Sequence, residues 1–428
     1  MPEQVEIRPC GPLNAVVRPP GSKSITNRAL ICAALADGES TLRGALDSDD
    51  TRVMVTGLRQ LGLAIQHDVS ANEIRVTGCG GRIPKVRAEI HVENSGTTIR
   101  FLTPMLPAAE GQFRLDGIAR MRERPSGALV QALRDLGGGV RCEADNNCPP
   151  VIIDSRGLEG GSATIRGDIS SQFLSGILMA APYAQRPTQL AVSGVLVSQP
   201  YVHMTLAVMA AFGIALAADD LSRFEIPANK KYRGSEYEIE PDASAASYFW
   251  GAAAICGGQV TVTGLHRDSL QGDVRFCERL KQMGCEVQYE SDAITVRGGP
   301  LRGIDVDMND ISDTVQTLAA VALFAQGTTT IRGVAHNRHK ETDRIADLAT
   351  ELRRLGAVVD EFDDGLRITP QPLQPAAIET YNDHRMAMSL ALVGLRQPGI
   401  VIRNPGCTAK TYPRFFADLD AMREAADG

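Results

Sequence analysis

Five basic residues lie at positions where a cation does not stabilise a helix. They are close to the beginnings of segments rich in small and apolar residues, and they are Lys23, Arg28, Arg100, His384 and Arg385. The first turn of a helix carries a partial positive charge and N–H groups without partners, so it favours an anion and disfavours a cation. We therefore expect these segments to bind anionic groups of a ligand. For any single helix, the alternative is that its starting Ser or Asn is an ordinary cap.

Two carboxylates stand beside further cations and are candidates for proton transfer. Asp313 lies in NDISDTVQ, at the start of another such segment. Glu341 lies in HKETDR, which is expected to open a helix with Lys340 and Arg344 as a like-charge pair one turn apart. A positioned carboxylate can act as a general acid or base. The alternatives are a stabilising charge at a helix start for Asp313 and a surface salt bridge for Glu341.

Three other stretches add basic residues. RMRERPS, residues 120–126, has arginines at alternate positions, and an extended conformation would place all three on one side, facing either an anion or solvent. GSKS, residues 21–24, lacks the first glycine of a GxxxxGK[ST] phosphate loop. Lys23 is therefore either a phosphate contact or an ordinary surface lysine. TAKTYPR adds Lys410 and Arg414.

The composition excludes several classes of protein. With 428 residues, 43% of them hydrophobic, the chain is long enough for two or three domains and too apolar to be disordered. A net charge of −7 argues against a nucleic-acid coat or a membrane-surface binder, and no apolar run approaches the roughly 20 residues of a membrane span. The N-terminus does not resemble a secretory signal and the nine cysteines form no CxxC pair, so we expect a cytoplasmic protein with reduced thiols.

Metal and cofactor motifs are not evident in the sequence. His336 and His339, near Glu341, are the only histidines with a ligand-like spacing, and they favour a metal site only weakly. There is no GxSxG, GxGxxG or kinase motif. We expect a reaction without metal or organic cofactor, on a substrate that carries several negative groups.

The elements that must position these residues repeat six times. A β-branched run ends at Gly44, Gly117, Gly194, Gly264, Gly333 and Asn404, at spacings of 69 to 77 residues. A buried-type helix precedes each run, and an amphipathic helix that ends at a glycine follows most of them, as at Gly62 and Gly356. The sequence predicts an α/β protein of six similar units.

The six units are expected to divide evenly between two domains. Crossings near residues 20 and 240, in PPG and IEPD, predict one domain of residues 22–240 and a second of residues 1–21 plus 241–428. The N-terminal VEIRPCGPLNAVVRP is expected to supply a strand to the second domain. Helix starts from both domains would then meet in a cleft that forms the active site.

Eight motifs in order resemble those of the EPSP synthase (3-phosphoshikimate 1-carboxyvinyltransferase) family, over residues 8 to 420. They are GSKSITNRAL, NSGTTIRFL, RMRERP, DISSQF, SQPYV, KETDR, NDHRMAM and CTAKTYPRFF. The resemblance implies a two-domain inside-out α/β barrel of six βαβαββ units. It implies transfer of the enolpyruvyl group of phosphoenolpyruvate (PEP) to the 5-hydroxyl of shikimate 3-phosphate, without cofactor, and inhibition by glyphosate at the PEP site. We expect a monomer with these two small-molecule partners and no nucleic-acid or membrane partner.

The resemblance also implies site residues. Those for shikimate 3-phosphate are Lys23, Ser24, Arg28, Ser170, Ser171, Gln172, Ser198, Tyr201, Asp313, His336 and Lys340. Those for PEP are Lys23, Gly96, Arg124, Gln172, Arg344, Arg385 and Lys410. Asp313 would accept the proton of the shikimate hydroxyl, and Glu341 with Lys23 would handle the proton on the methylene carbon of PEP.

Three positions depart from the commoner family pattern, namely Glu93, Phe101 and His336. They leave the implied reaction unchanged and leave the subclass open. A rival within the same fold is the UDP-N-acetylglucosamine enolpyruvyl transferase, whose loop carries a reactive Cys where RMRERPSG stands here. A non-enzymatic repeat scaffold is a second rival, but its repeats are usually 20 to 50 residues long.

Overall fold

The computed structural model describes residues 2–217 and 220–424. The chain divides into two compact units: unit 1 comprises Met1–Pro20 and Glu240–Gly428, and unit 2 comprises Gly21–Ile239. Each unit has its own hydrophobic core.

Twelve α-helices lie in the described residues. They are α1 Lys23–Leu35, α2 Asp49–Gln60, α3 Gly96–Met105, α4 Gly127–Asp135, α5 Ser171–Ala180, α6 Gln199–Ala211, α7 Ala243–Cys256, α8 Phe276–Met283, α9 Val315–Ala322, α10 Arg344–Arg354, α11 His384–Gly394 and α12 Phe415–Glu424. None of them combines the length and the hydropathy that crossing a membrane requires.

The described residues form 22 strands. They are β1 Gln4–Ile7, β2 Leu13–Val17, β3 Glu39–Arg43, β4 Ala64–Asp68, β5 Glu73–Thr77, β6 Arg87–His91, β7 Glu110–Asp116, β8 Val140–Cys142, β9 Val151–Arg156, β10 Gly161–Arg166, β11 Thr188–Ser193, β12 Arg223–Ile226, β13 Glu236–Glu238, β14 Gly258–Thr263, β15 Glu286–Tyr289, β16 Ala293–Arg297, β17 Asp305–Asp307, β18 Thr329–Arg332, β19 Val358–Phe362, β20 Gly365–Thr369, β21 Ala376–Ile378 and β22 Ile400–Arg403.

The strands form six sheets, three in each unit. Unit 2 has the orders β13-β3-β5-β4, β6-β7-β9-β8 and β10-β11-β12, and unit 1 has β1-β22-β21, β15-β16-β14-β2 and β17-β18-β20-β19. In every sheet, the strand that ends at a repeat mark has a parallel neighbour on one side and an antiparallel neighbour on the other. The six predicted units are confirmed, and in each of them a buried helix precedes the strand that ends at the repeat mark.

Three of the six units are completed by strands that are distant in sequence. β13, at the end of unit 2, pairs in parallel with β3, and the N-terminal β2 pairs in parallel with β14. The N-terminal β1 also pairs with β22, as expected for a strand supplied to the second half of the chain. This pairing explains why the chain passes between the units twice.

The buried helices begin differently from the expectation of Ser and Asn starts. Ser95 and Ser170 cap α3 and α5 as expected, but Asp242 caps α7 and Asp383 caps α11. A carboxylate accepts the first helical N–H groups and also compensates the partial positive charge of the helix end, which a neutral cap does less well. At α1 the cap is Ser22, so the side chain of Ser24 lies within the first turn.

The amphipathic helices end at the predicted glycines. Gly62, Gly137, Gly213, Gly284 and Gly356 follow α2, α4, α6, α8 and α10, and all have positive φ. This left-handed conformation is disfavoured for a residue with a Cβ, so the glycines close the helices and turn the chain into the next strand.

Candidate functional site

In unit 1, a buried arginine at the start of α10 holds three carboxylates. Arg344 donates from Nε to Asp383 Oδ2 at 2.7 Å, from Nη2 to Glu341 Oε2 at 2.8 Å and from Nη1 to Asp313 Oδ1 at 3.2 Å. Burial by itself lowers the pKa of this guanidinium, but the carboxylates raise it above its ordinary value. Arg344 therefore stays charged and fixes the positions of both candidate proton carriers.

A second arginine approaches Asp313 from α11. Arg385 donates from Nη2 to Asp313 Oδ2 at 2.7 Å and from Nη1 to the Asp313 carbonyl at 3.0 Å. The Arg385 backbone N–H donates to Asp383, the cap of the same helix, at 2.8 Å. The Asp313 carboxylate thus lies between two guanidinium groups that come from different helices.

Two lysines complete what we call the acid–base cluster, defined as Asp313, Lys340, Glu341, Arg344, Asp383, Arg385 and Lys410. Lys340 Nζ lies 3.8 Å from Asp313 Oδ1, and Lys410 Nζ lies 3.6 Å from Glu341 Oε1. The cluster contains four cations and three carboxylates. Within this set the cations outnumber the carboxylates, which suits the binding of an anionic substrate.

The prediction that Lys340 and Arg344 of HKETDR lie one turn apart on a helix is wrong. α10 begins only at Arg344, after its cap Asp343, and residues Ala335–His339 form a separate 3-10 turn. Lys340 and Arg344 are consequently not stacked on one helix face, and both reach the Asp313 carboxylate from different directions. Asp343 binds the free N–H groups of residues 345 and 346, which fixes the helix start at this point.

His336 lies beside the cluster as a buried, neutral imidazole. Its Nε2 is 2.9 Å from the hydroxyl of Ser312, the neighbour of Asp313. Burial, together with the positive charge of Lys340, lowers the pKa of His336 to about 3. Among the described residues, no group of three or more His, Cys, Asp or Glu side chains is placed to hold a metal ion.

In unit 2, Arg28 is fully buried among neutral groups. Its guanidinium donates to the Thr205 hydroxyl at 2.7 Å, the Ser24 carbonyl at 2.9 Å and the Tyr201 carbonyl at 3.2 Å. The rings of Phe101 and Tyr201 lie 5.2 and 5.8 Å from its central carbon. Burial lowers its pKa to about 10. Within the described part of the chain, no carboxylate lies at ion-pair distance from Arg28, so its charge is compensated only by dipoles and aromatic rings.

Gln172 connects two of the buried helices of unit 2. Its Oε1 accepts a hydrogen bond from Arg100 at 2.8 Å, and its Nε2 donates to Thr97 at 3.2 Å. Ser170 caps α5 and accepts from the Gln172 backbone N–H at 3.3 Å. Arg100 therefore fixes which end of the amide points to which neighbour, a role that the sequence analysis did not assign to it.

Gly96 and Arg124 are packed together at the start of α3. A Cβ on Gly96 would lie 2.6 Å from Nη2 and 2.8 Å from Cζ of Arg124, closer than real Cβ contacts. Arg124 donates to the Asn94 carbonyl at 3.3 Å. The absence of a side chain at residue 96 thus lets the guanidinium lie against the helix start, where it joins the N–H groups as an anion-binding feature.

The extended conformation expected for RMRERPS, with its three arginines on one side, is wrong. Residues Ala119–Glu123 form a 3-10 turn, in which Arg120 pairs with Glu123 at 2.8 Å. Arg122 pairs with Asp116 at 2.7 Å, and only Arg124 is buried at the helix start. The other two arginines are each paired with a neighbouring acid.

The remaining predicted residues lie at helix starts of unit 2. Lys23 is the first residue of α1, Ser171 the first of α5, and Ser198 the cap of α6 with a left-handed backbone at φ 53°. Sequence reasoning missed Asp383 as the residue that holds Arg344. The signal was present, because an Asp directly before a buried helix is a preferred cap, but its second contact depends on residues 39 positions away.

Comparison with known proteins gives a consistent result. The family model for EPSP synthase (3-phosphoshikimate 1-carboxyvinyltransferase) matches residues 7–419. The 3-phosphoshikimate 1-carboxyvinyltransferase of Nostoc punctiforme is 49% identical, over 96% of this chain and 97% of its own. The enzyme of the same name from Shewanella sp. (strain ANA-3) is 46% identical, over 98% of this chain and 100% of its own.

Solved structures agree with this similarity. The EPSP synthase of Acinetobacter baumannii superimposes with a TM-score of 0.83 at 26% identity, over 99% of this chain and 98% of its own. The enolpyruvyl transferase NikO of Streptomyces tendae superimposes with a TM-score of 0.76 at 20% identity, over 98% of this chain and 97% of its own, which establishes a shared fold only.

Proposed function

The chain belongs to the EPSP synthase family, and from that premise we propose how its residues divide the work of the reaction. The family reaction moves the enolpyruvyl group of PEP to shikimate 3-phosphate in the shikimate pathway, and this chain is an enolpyruvyl transferase of that kind with the corresponding fold.

The observation that carries the proposed roles is the position of Asp313 between Arg344 and Arg385. Two guanidiniums at 3.2 and 2.7 Å hold this carboxylate as an anion with a fixed orientation. A fixed carboxylate can accept a proton from a substrate hydroxyl at the moment the oxygen attacks. Asp313 is therefore proposed as the base toward the 5-hydroxyl of shikimate 3-phosphate.

Glu341 is proposed to serve the carbon of PEP. A proton added to the methylene carbon leaves cationic character on the adjacent carbon, and the hydroxyl oxygen bonds to that carbon. The tetrahedral adduct then loses a proton from the new methyl group and expels phosphate, which restores the double bond. Glu341, 3.6 Å from Lys410, is proposed to act with Lys23 in these two proton transfers.

The cations are proposed to bind the substrates' negative groups. Arg344, Arg385 and Lys410 in unit 1 would bind PEP together with Gly96, Arg124, Gln172 and Lys23 of unit 2. Lys340, His336 and Asp313 would bind shikimate 3-phosphate together with Lys23, Ser24, Arg28, Ser170, Ser171, Gln172, Ser198 and Tyr201. The excess positive charge of the acid–base cluster and the buried charge of Arg28 support this assignment.

Because these sets belong to different units, we propose a shared active site in a cleft between them. Closure about hinges near residues 20 and 240 would assemble it and bring both substrates together, which supplies effective concentration. Small-angle scattering tests this: saturation with shikimate 3-phosphate should reduce the radius of gyration, and an unchanged value would contradict closure. We further propose that the protein is cytoplasmic and monomeric. Light scattering of the purified chain tests the monomeric state.

The reaction itself is tested by phosphate release. The purified chain with PEP and shikimate 3-phosphate should release phosphate, whereas either substrate alone should not. The matched control replaces shikimate 3-phosphate with UDP-N-acetylglucosamine and should give no release. Release only with the nucleotide sugar would mean that the acceptor is wrong although the donor and fold are right.

A further inference from the structure

Away from the acid–base cluster, two thiols of unit 1 lie side by side. The sulfur of Cys10 is 3.8 Å from the sulfur of Cys256, although 246 residues separate them in the chain. Cys10 is half-buried and Cys256 is buried. Neither cysteine belongs to a motif, so only the fold brings the two sulfurs into contact.

Backbone pairing on both sides holds this contact in place. Cys10 lies between β1 and β2, and its N–H donates to the Leu395 carbonyl at 2.9 Å. Cys256 is the last residue of α7, and the Leu13 N–H donates to the Gly257 carbonyl just after it at 3.0 Å. The loop that carries Cys10 is therefore fastened against the C-terminal end of α7.

The two sulfurs are in van der Waals contact and are not bonded. A disulfide has an S–S distance of about 2 Å, so the two atoms need to approach by roughly 2 Å more. Gly11, next to Cys10, has nothing within 4 Å of its Cβ position. The loop is unpacked at this one position, and we place the shift that bond formation requires there, with the two backbone hydrogen bonds kept.

We propose that Cys10 and Cys256 form a modification site, at which a peroxide oxidises the thiol pair to a reversible disulfide. The half-exposed Cys10 attacks the peroxide oxygen, which leaves a sulfenic acid and one water molecule. The sulfur of Cys256 then displaces the sulfenic oxygen as a second water molecule and forms the S–S bond. Two thiols lose two electrons and two protons in total, and one peroxide takes them up.

The disulfide would stabilise unit 1 and leave the reaction unaffected. It closes a chain loop from residue 10 to residue 256, which contains all of unit 2 and restricts the unfolded chain strongly. Tyr248, the α7 residue whose hydroxyl lies 3.5 Å from Arg385, precedes Cys256 by eight residues, or about 12 Å along the helix axis. Bond formation at the far end of α7 should not move the acid–base cluster.

The test is oxidation of the full-length, fully reduced chain with about one equivalent of hydrogen peroxide. Two of the nine thiols should disappear, and peptide mapping under non-reducing conditions should give a fragment that links Cys10 to Cys256. Dithiothreitol should restore both thiols. The melting temperature should rise by about 5 °C or more, and phosphate release should stay within about twofold of the reduced chain.

Matched variants decide between this pair and others. Cys10→Ser and, separately, Cys256→Ala should abolish the link and the thermal shift. Cys142→Ser should leave both unchanged, although Cys142 is also half-buried and has Cys148 as a close neighbour. A link that maps to Cys142 and Cys148, a link between two chains, or overoxidation of Cys10 with Cys256 still a thiol would each overturn the proposal.

Discussion

Buried arginines have carboxylate partners in unit 1, whereas Arg28 in unit 2 has neutral ones. In unit 1, Arg344 and Arg385 are paired with the carboxylates of Asp313, Glu341 and Asp383. In unit 2, Arg28 is held by hydroxyls, carbonyls and aromatic rings, and burial lowers its pKa to about 10. In the proposed function, the paired Arg344 and Arg385 position the proton carriers and also bind PEP. The charge of Arg28, which has no carboxylate at ion-pair distance among the described residues, is proposed to bind shikimate 3-phosphate. The neighbouring side chains therefore give the same residue type two different electrostatic environments.

The largest expected effect comes from removing one arginine of each kind. Arg344→Met leaves three carboxylates with fewer cations, and we expect the free energy of unfolding in urea to fall by about 3–5 kcal/mol. Arg28→Met removes a buried charge that has no carboxylate partner among the described residues. The free energy of unfolding of the ligand-free protein should therefore stay constant or rise.

Binding of shikimate 3-phosphate should be weakened by the Arg28 variant, although the stability of that variant is not reduced. Arg28→Met should weaken it by more than about tenfold, because the ligand would lose its buried charged partner. Calorimetric titration measures this loss. Equal destabilisation by Arg344→Met and Arg28→Met, with equal binding, would remove the distinction between the two regions.

The proton carriers of the acid–base cluster should be catalytic and not structural. Asp313→Ala and Glu341→Gln should each lower turnover by about 10²-fold or more, the usual scale for a positioned acid or base. Steady-state phosphate release measures this. Arg122→Gln, which breaks an exposed pair with Asp116, is the matched control and should keep near wild-type turnover. A variant of Asp313 that is active but melts at a much lower temperature would favour a merely structural helix-start charge.

His336 should make unit 1 sensitive to acid. Its pKa is about 3 in the folded chain and near 6.5 when unfolded, so the unfolded chain binds the extra proton and stability falls as the pH drops below 6.5. The loss should reach about 2 kcal/mol at pH 5. His336→Asn should remove this part of the pH dependence in urea titrations between pH 7 and 5. Parallel curves for both proteins would show that another group causes the acid sensitivity.

The smallest effect is expected at Gly96. In Gly96→Ala the new methyl group would collide with the Arg124 guanidinium, so the guanidinium must shift. The shift is possible because the guanidinium is the flexible end of a side chain. We expect weaker PEP binding by about tenfold or less, roughly 1 kcal/mol, and a larger loss for glyphosate, which is bulkier than PEP. Inhibition and PEP titrations give both constants. An unchanged ratio between them would mean that residue 96 acts only on the helix start.

Much of the fold could be predicted because its signals are local. The glycine that follows each amphipathic helix must adopt a left-handed conformation, as at Gly62 and Gly284, and the buried helices are apolar on all sides. The cap positions of α7 and α11 were less predictable. Ser, Asn and Asp are all good caps, and several stand within two residues of one another, so packing selects Asp242 and Asp383.

The amino-acid sequence by itself determined the six repeats, the family and which cations stand at helix starts, because each depends on residue types within one short segment. Only the tertiary structure decided which charges meet. Asp313 and Arg385 are 72 residues apart, Asp383 and Arg344 are 39 apart, and β2 finds its parallel partner β14 after the whole of unit 2. Ion pairs, strand pairs and the Cys10–Cys256 contact act over a few ångströms, so only the fold that brings these segments together can create them.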